Sequence, residues 1–293
     1  MITNAVPGTP GLDDAEAVRL ARSALEEDLA GGVDVTTIAT VPPGQAGLAR
    51  LVARADGVVA GLPVAAAVFA ERLAAAGQVR TVAADGDRVV AGQVLMEVTG
   101  PTRELLTAER SALNLLTHLS GVASLTARWV AAVAGTGALI RDTRKTVPGL
   151  RAAEKYAVRC GGGHNHRMGL HDQALIKDNH VVAAGGVAAA IRAVRAHYPD
   201  VFCEVECDTP DQVREAVAEG AVLVLLDNME LPALRASVEL CAPHGTRTEA
   251  SGGLTLERAR AVAETGVDYL AVGGLTHSAP ALDIGLDLSR PGS

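Results

Sequence analysis

Aromatic residues make up only 2% of this 293-residue chain. That excludes base stacking on aromatic platforms as a basis for function, and leaves the core to Ala, Val and Leu. Positive charge is also in deficit. The formal net charge is −8, which argues against a basic, nucleic-acid-binding surface. The four cysteines, Cys160, Cys203, Cys207 and Cys241, include no C-x-x-C pair. They are too few for a disulfide framework and read as reduced packing residues of a cytoplasmic protein. No apolar run reaches 18 residues, and no basic segment followed by an apolar one opens the chain. Neither a membrane span nor a leader is expected. What is present is enough apolar material, 48%, for one large or two ordinary domains.

Met1 to Pro10 reads as a frayed tail. Asp13-Asp14 then open a helix to about Leu29, with Val18, Ala21, Leu25 and Leu29 at helical spacing. Ala46 to Ala60 alternates apolar and polar residues and reads as a strand, and Leu62 to Ala76 as an alanine-rich helix. Val79 to Val98 reads as strands with a turn at Asp85-Gly86-Asp87. Thr102 to Val133 is a long helical stretch, expected to break or bend near Gly121 and to link a first domain to a second. The segment Asp85 to Gly100, DGDRVVAGQVLMEVTG, is similar to part of a biotinyl or lipoyl hammerhead. Those modules present a lysine for the cofactor, and no lysine precedes Lys145. A β-rich half-domain is expected there, not a swinging arm.

In the second half, short apolar runs stop one after another on charged or glycine-rich residues. Leu139-Ile140 stops at Arg141-Asp142-Thr143-Arg144-Lys145, and Ala174-Leu175-Ile176 at Lys177. Val201-Phe202-Cys203 leads to Glu204-Val205-Glu206, and the run from Val222 to Leu226 stops at Asp227. Thr248-Glu249-Ala250 stops at Ser251-Gly252-Gly253, and the run from Tyr269 to Val272 at Gly273-Gly274. From Glu206 onward the runs recur at the length of a βα unit, and parallel strands need such crossovers. In an α/β barrel all strand C-termini open on one face, which carries the chemistry.

Arg141, Arg144, Lys145, Arg167 and Lys177 at such ends are either solvated loop charges or the lining of an anion site. Guanidinium forks suit carboxylates and phosphates, and lysine supplies a mobile point charge. Glu206 and Asp227 end adjacent strands. Such a pair can bind Mg²⁺ through water, stabilise a developing positive charge, or simply pair with the cations. Glycines at Ser251-Gly252-Gly253 and Gly273-Gly274 let backbone amides approach a phosphate, with Thr255 and Thr276-His277-Ser278 placed to cap the following helices. His164, His166, His171 and His180 lack the spacing of a closed zinc site. His166 reads as a hydrogen-bond donor to substrate, with His164 and His171 holding its loop.

Several strings together resemble the quinolinate phosphoribosyltransferases. They are TAERSALNLLTHLSGVAS (Thr107 to Ser124), DTRKTVPGLR (Asp142 to Arg151), GGGHNHRMGLHD (Gly161 to Asp172), IKDNH (Ile176 to His180), EVECDT (Glu204 to Thr209), LLDNM (Leu225 to Met229), EASGG (Glu249 to Gly253) and LTHSAPALDIGLD (Leu275 to Asp287). EDL at Glu27 and DVTT at Asp34 fit as well. The resemblance implies an N-terminal α/β domain, an α+β sandwich over 1–115, to which a tail over 277–293 returns. It implies an incomplete α/β barrel over 116–276, the type II phosphoribosyltransferase architecture. The implied reaction takes quinolinate and phosphoribosyl pyrophosphate to nicotinate mononucleotide, pyrophosphate and carbon dioxide, with Mg²⁺, in NAD biosynthesis. A homodimer with shared active sites is implied, with assembly beyond the dimer open.

By resemblance Arg144, His166 and Arg167 bind the substrate's carboxylates, with Arg110 donated by the partner subunit. Lys145 and Lys177 lie between quinolinate and the pyrophosphoryl group, beside Thr143. Glu206 and Asp227 face the ribose and its metal. Ser251, Gly252, Gly253, Gly273, Gly274 and His277 match the 5′-phosphate end. The family often has Gly-Ala where this chain has Gly273-Gly274, and a one-residue-shorter loop before Asp34. Two other readings stay open: a related phosphoribosyltransferase acting on another acid, and a Schiff-base aldolase using Lys177.

Overall fold

The computed structural model describes residues 12–289, and the expected N-terminal tail lies outside them. Contacts divide the chain into two compact units. Among the described residues the first comprises 12–127, 148–162 and 278–289, and the second 128–147 and 163–277. They divide the chain at other residues than the sequence suggests, because the first unit keeps most of the long helix and also takes a helix from beyond it.

In the first unit, α1 (Asp14–Leu29) starts on Asp13, whose carboxylate accepts from Ala15 N at 3.0 Å. A short α2 (Val35–Thr40) starts on Asp34, which accepts from Thr37 N at 2.9 Å. Strand β1 (Ala46–Ala53) ends before the expected Ala60, and a two-residue β2 (Gly57–Val58) follows. Then come α3 (Leu62–Leu73), β3 (Gln78–Thr81), β4 (Arg88–Val89) and β5 (Val94–Pro101). The main sheet is antiparallel, in the order β12-β1-β5-β3, where β12 (Ile284–Ser289) comes from the end of the chain. Its inward face meets α3 and the first turns of α4 (Thr102–Ala132) in a core of Leu51, Phe69, Leu95, Met96, Leu105 and Leu116.

Of the break or bend expected near Gly121, no break is made, and α4 runs through it as one 31-residue helix. The glycine serves an approach instead. A Cβ there would stand 2.2 Å from the Pro280 carbonyl, so only Gly lets the returning tail lie against the helix.

The second unit is a six-stranded parallel sheet. In chain order its strands are β6 (Leu139–Arg141), β7 (Ala174–Ile176), β8 (Cys203–Cys207), β9 (Leu223–Asp227), β10 (Arg247–Ser251) and β11 (Tyr269–Ala271), and in space they run β6-β11-β10-β9-β8-β7. Helix α5 (Arg151–Cys160), between β6 and β7 in sequence, belongs to the first unit. The crossovers of the second are α6 (Asp178–Ala184), α7 (Val187–His197), α8 (Pro210–Ala218), α9 (Leu231–Cys241), α10 (Ala259–Ala263) and α11 (Gly274–His277). Among the described residues no ladder joins β6 to β7. The free edge of β6 makes one parallel bridge, Arg141 to His164, so the barrel stays open there. Among the same residues no helix is long and apolar enough to cross a membrane.

Candidate active site

Side chains alternate along a strand, and residues in register on parallel neighbours share a face. Register pairs Glu206 with Leu225 and Leu225 with Glu249. It pairs Asp227 with Ser251 and Leu175 with Glu204. Lys177, Glu206, Asp227 and Ser251 therefore fall on one face at the C-terminal ends of successive strands. The period of two in four separate strands thus assembles one mouth.

Within it Lys177 Nζ pairs with Glu206, and Asp227 Oδ2 accepts from Asn228 Nδ2 at 2.6 Å. Of the two acids at these strand ends, Glu206 thus meets a cation and Asp227 a neutral amide. Asn228 holds a left-handed φ of 52° and donates its N–H to Ser251 O at 2.9 Å, which joins the β9 and β10 ends. Gly252, at φ 85°, is required beside it, because a Cβ would lie 2.2 Å from Asn228 Oδ1.

The loops after β6 and β11 also meet. Thr276 Oγ1 donates to Lys145 O at 2.7 Å, and Lys145 N donates to Thr143 Oγ1 at 3.0 Å. A Cβ on Gly273 would stand 2.9 Å from Lys145 Cδ, 3.4 Å from His277 Nε2 and 3.5 Å from Thr143 Oγ1. Thr143, Lys145, Gly273 and His277, far apart in sequence, are thus neighbours. The helix caps expected here are not made. Helix α10 begins six residues beyond Gly253, behind Arg258 and not Thr255, with no side-chain cap. Thr276 ties two loops together from inside the four-residue α11.

Arg167 is 9% exposed. Burial lowers the pKa of its guanidinium and the charge of Arg144 lowers it further. Arg144 Nε is itself buried without a hydrogen-bond partner. Two cations so close in a half-buried mouth repel unless an anion joins them. Arg110 is on the exposed side of α4, in the first unit.

Of the histidines, His164 bridges to β6 through its backbone. His171 packs where a Gly169 Cβ would be, and Asp172 holds that loop by accepting from Met168 N and Gly169 N at 2.6 and 2.9 Å. His180 Nδ1 accepts from Lys177 N at 2.9 Å and caps α6. His166 is 7% exposed, and its Nε2 lies 2.8 Å from Glu204 and 3.5 Å from Glu249.

His166, Glu204 and Glu249 bring ligand atoms within 4.8 Å of one another, as a metal site would. The donor set does not fit. His166 Nδ1 accepts the Arg167 N–H at 2.7 Å, so the ring proton is on Nε2. A metal-bound imidazole needs its proton on the other nitrogen.

Glu204, Glu249 and Gln173 are absent from the sequence-based site. The available signal was alternation: Glu204 precedes Glu206 by two residues and so shares its face. Burial pushes both glutamates up to about 7, and Arg141 pulls each down; the charge of Glu204 adds to the rise at Glu249. A free glutamate titrates near 4.5. Between about pH 4.5 and about pH 7 the folded chain thus binds more protons than the unfolded one. The stability this pair contributes is full below that window and is lost as the pH rises through it. Glu249→Gln cannot titrate. Its Tm relative to wild type should rise by a few degrees between about pH 5 and about pH 8. A difference that stays constant across that range would rule out a proton shared by the pair.

Two family models match, the quinolinate phosphoribosyl transferase N-terminal domain over residues 34–120 and C-terminal domain over residues 122–287. A nicotinate-nucleotide pyrophosphorylase [carboxylating] of Mycobacterium leprae is 54% identical over 91% of this chain and 95% of its own length. Among solved structures, NadC from Streptococcus pyogenes superposes with a TM-score of 0.90 at 39% identity, over 95% of this chain and 98% of that one. The nicotinate-nucleotide pyrophosphorylase from Francisella tularensis gives 0.90 at 33% identity, over 97% and 100%. With both domain models matched in order along one chain and relatives similar over nearly their whole length, this chain belongs to the quinolinate phosphoribosyl transferase family.

Proposed function

We propose that this enzyme transfers the phosphoribosyl group of phosphoribosyl pyrophosphate to quinolinate with decarboxylation. The products are nicotinate mononucleotide, pyrophosphate and carbon dioxide, formed as a step of NAD biosynthesis. The observation that supports this reading most is the pair Arg144 and Arg167, close enough that each charge acts on the other, with Arg144 Nε buried and unpartnered, in a unit whose strand-end loops also carry Lys145 and Lys177. Such a set of cations suits a ligand with several negative groups.

Arg144, Arg167 and His166 serve the ring carboxylates, and Arg110 comes from the partner subunit. Lys145 and Lys177 face the leaving pyrophosphate. The ring nitrogen attacks C1 of the ribose as the C1–O bond to pyrophosphate breaks, with oxocarbenium character at C1. Glu206 and Asp227 stabilise that positive charge. The quaternised ring then accepts the electron pair of the departing 2-carboxylate, and a proton takes the place of carbon dioxide. Amides around Ser251, Gly252, Gly253, Gly273 and Gly274, with His277, serve the 5′-phosphate. The protein's part is positioning and electrostatics.

Glu206 and Asp227 offer hard oxygen donors without a full cage, which suits Mg²⁺ held partly by water and substrate. Bound there, the ion would neutralise pyrophosphate charge. The assembly is a homodimer with shared sites, which exposed Val33, Val35 and Ile38 support as an apolar surface to cover. The four free cysteines support a reducing, cytoplasmic setting. The aldolase alternative is disfavoured by the family match and by Lys177 being ion-paired to Glu206.

Mass spectrometry of the products from quinolinate, phosphoribosyl pyrophosphate and Mg²⁺ tests the reading. Quinolinate should be consumed and nicotinate should not. Without the 2-carboxylate a buried arginine stays unpaired, at a cost of about 1–3 kcal/mol. Equal turnover of nicotinate would overturn the substrate assignment.

A further inference from the structure

A closed ring of polar contacts stands behind the arginine mouth. Glu204 Oε2 lies 2.8 Å from His166 Nε2 and accepts from Gln173 Nε2 at 2.9 Å. The Gln173 main-chain carbonyl accepts from Arg167 Nη1 at 3.1 Å. The Arg167 main-chain N–H donates to His166 Nδ1 at 2.7 Å and closes the ring. Because a backbone N–H can only donate, Nδ1 must accept. The ring proton of His166 is therefore on Nε2, which stands 2.8 Å from Glu204 as an ion-pair contact without hydrogen-bond alignment.

Glu204 and Glu249 are both 0% exposed. Glu249 Oε1 stands 3.5 Å from the same His166 Nε2, and its other oxygen accepts from Arg141 Nη1. Arg141 in turn lies 4.2 Å above the Tyr269 ring, and Tyr269 OH accepts from Arg247 at 2.6 Å. A buried carboxylate is costly unless cations and donors face it. Here Gln173 and His166 face Glu204, and Arg141 and His166 face Glu249, while one oxygen of each carboxylate, Glu204 Oε1 and Glu249 Oε1, is buried without a hydrogen-bond partner. The hydrogen bonds of this network, from Gln173 to Glu204, from Arg167 to the Gln173 carbonyl and from Arg167 N to His166 Nδ1, restrict how the His166 and Arg167 side chains can turn.

We propose that Glu204 is a positioning residue for binding of the acid substrate. Its carboxylate faces the His166 ring as an ion-pair contact and reaches the Arg167 guanidinium through Gln173, with Glu249 and Arg141 as a brace behind them. Glu204 acts through these two groups and not on the reacting atoms. The inference rests on the reading of His166 and Arg167 as carboxylate-binding groups. Its consequence is asymmetric: loss of Glu204 harms quinolinate binding and leaves phosphoribosyl pyrophosphate binding alone. The residues matched to that second substrate, Ser251 to Gly253 and Gly273, lie outside the ring.

The test is steady-state kinetics of the full-length enzyme with each substrate varied, for Glu204→Ala, Glu204→Gln and Gln173→Ala, with thermal unfolding measured in parallel. A glutamine oxygen can accept from Gln173 Nε2 and still face the His166 ring, so Glu204→Gln keeps the contacts of the ring and Glu204→Ala opens it. Glu204→Ala should raise KM for quinolinate about tenfold or more and change KM for phosphoribosyl pyrophosphate by less than about twofold. Glu204→Gln should bring KM for quinolinate back to within about threefold of wild type, and Gln173→Ala should fall between the two.

An unchanged quinolinate KM in Glu204→Ala overturns the proposal. So does a loss in which kcat and both KM values worsen together, because that pattern is structural. If Glu204→Ala does not fold, Gln173→Ala decides: a rise in quinolinate KM alone supports the ring, and no rise overturns it. A wild-type enzyme that does not turn over quinolinate overturns the functional reading and this inference with it. A wild type that does, beside variants that match it, overturns the role of Glu204 alone.

Discussion

Equal amounts of Arg110→Ala and Lys145→Ala protein, unfolded and refolded together, should regain about a quarter of wild-type activity although each alone is nearly inactive. Lys145 follows β6, beside Thr143 and Gly273. Arg110 is an exposed residue of α4, assigned by family resemblance to the site of the partner subunit. If that assignment holds, each active site draws Lys145 from one subunit and Arg110 from the other. Random pairing makes about half of the dimers hybrids. Two-fold symmetry then puts both lesions in one site of each hybrid and leaves the other intact. Separate refolding of wild-type protein controls for recovery. A mixture that stays as inactive as its parents, while wild type refolds well, would confine Arg110 to its own subunit.

Glu206→Ala and Asp227→Ala should each lower kcat by on the order of 10²-fold or more, with a smaller change in quinolinate binding. Both carboxylates end neighbouring strands on the face that carries Lys177 and Ser251. They differ in their partners, Glu206 meeting Lys177 and Asp227 meeting Asn228. A role limited to ion pairing would therefore make the two variants unlike each other, with Asp227→Ala the milder. Loss of charge stabilisation at C1 of the ribose would make them alike in kcat. Steady-state kcat for both variants, beside calorimetric quinolinate affinity, separates these outcomes. Unchanged kcat in both would reduce the two acids to structural partners.

Much of this site is legible in the sequence, because a parallel barrel writes it in local code. A strand period of two and a crossover of about 20 residues put the strand ends on one face. Hence the amino-acid order alone groups Lys177, Glu206, Asp227 and Ser251, and it marks the capped start of α1 at Asp13. Glycine is less readable. Near Gly121 it suggests a break in a helix, whereas the helix is unbroken and the Pro280 carbonyl lies against it. A glycine's purpose depends on what approaches it, and the sequence does not state that.

By itself, then, the sequence determined the order of the strands, the residues at their ends and the family of the chain. Tertiary structure alone decided that Glu204 and Glu249 meet His166, that Thr276 ties the loop of Lys145, and that α5 joins the first unit. The physical reason is range. Alternation and capping act over two to four residues and leave a periodic trace. Buried polar pairing joins residues such as Arg141 and Glu249, 108 positions apart, and is selected by the cost of leaving either group unpaired in the core. That cost leaves no period along the chain.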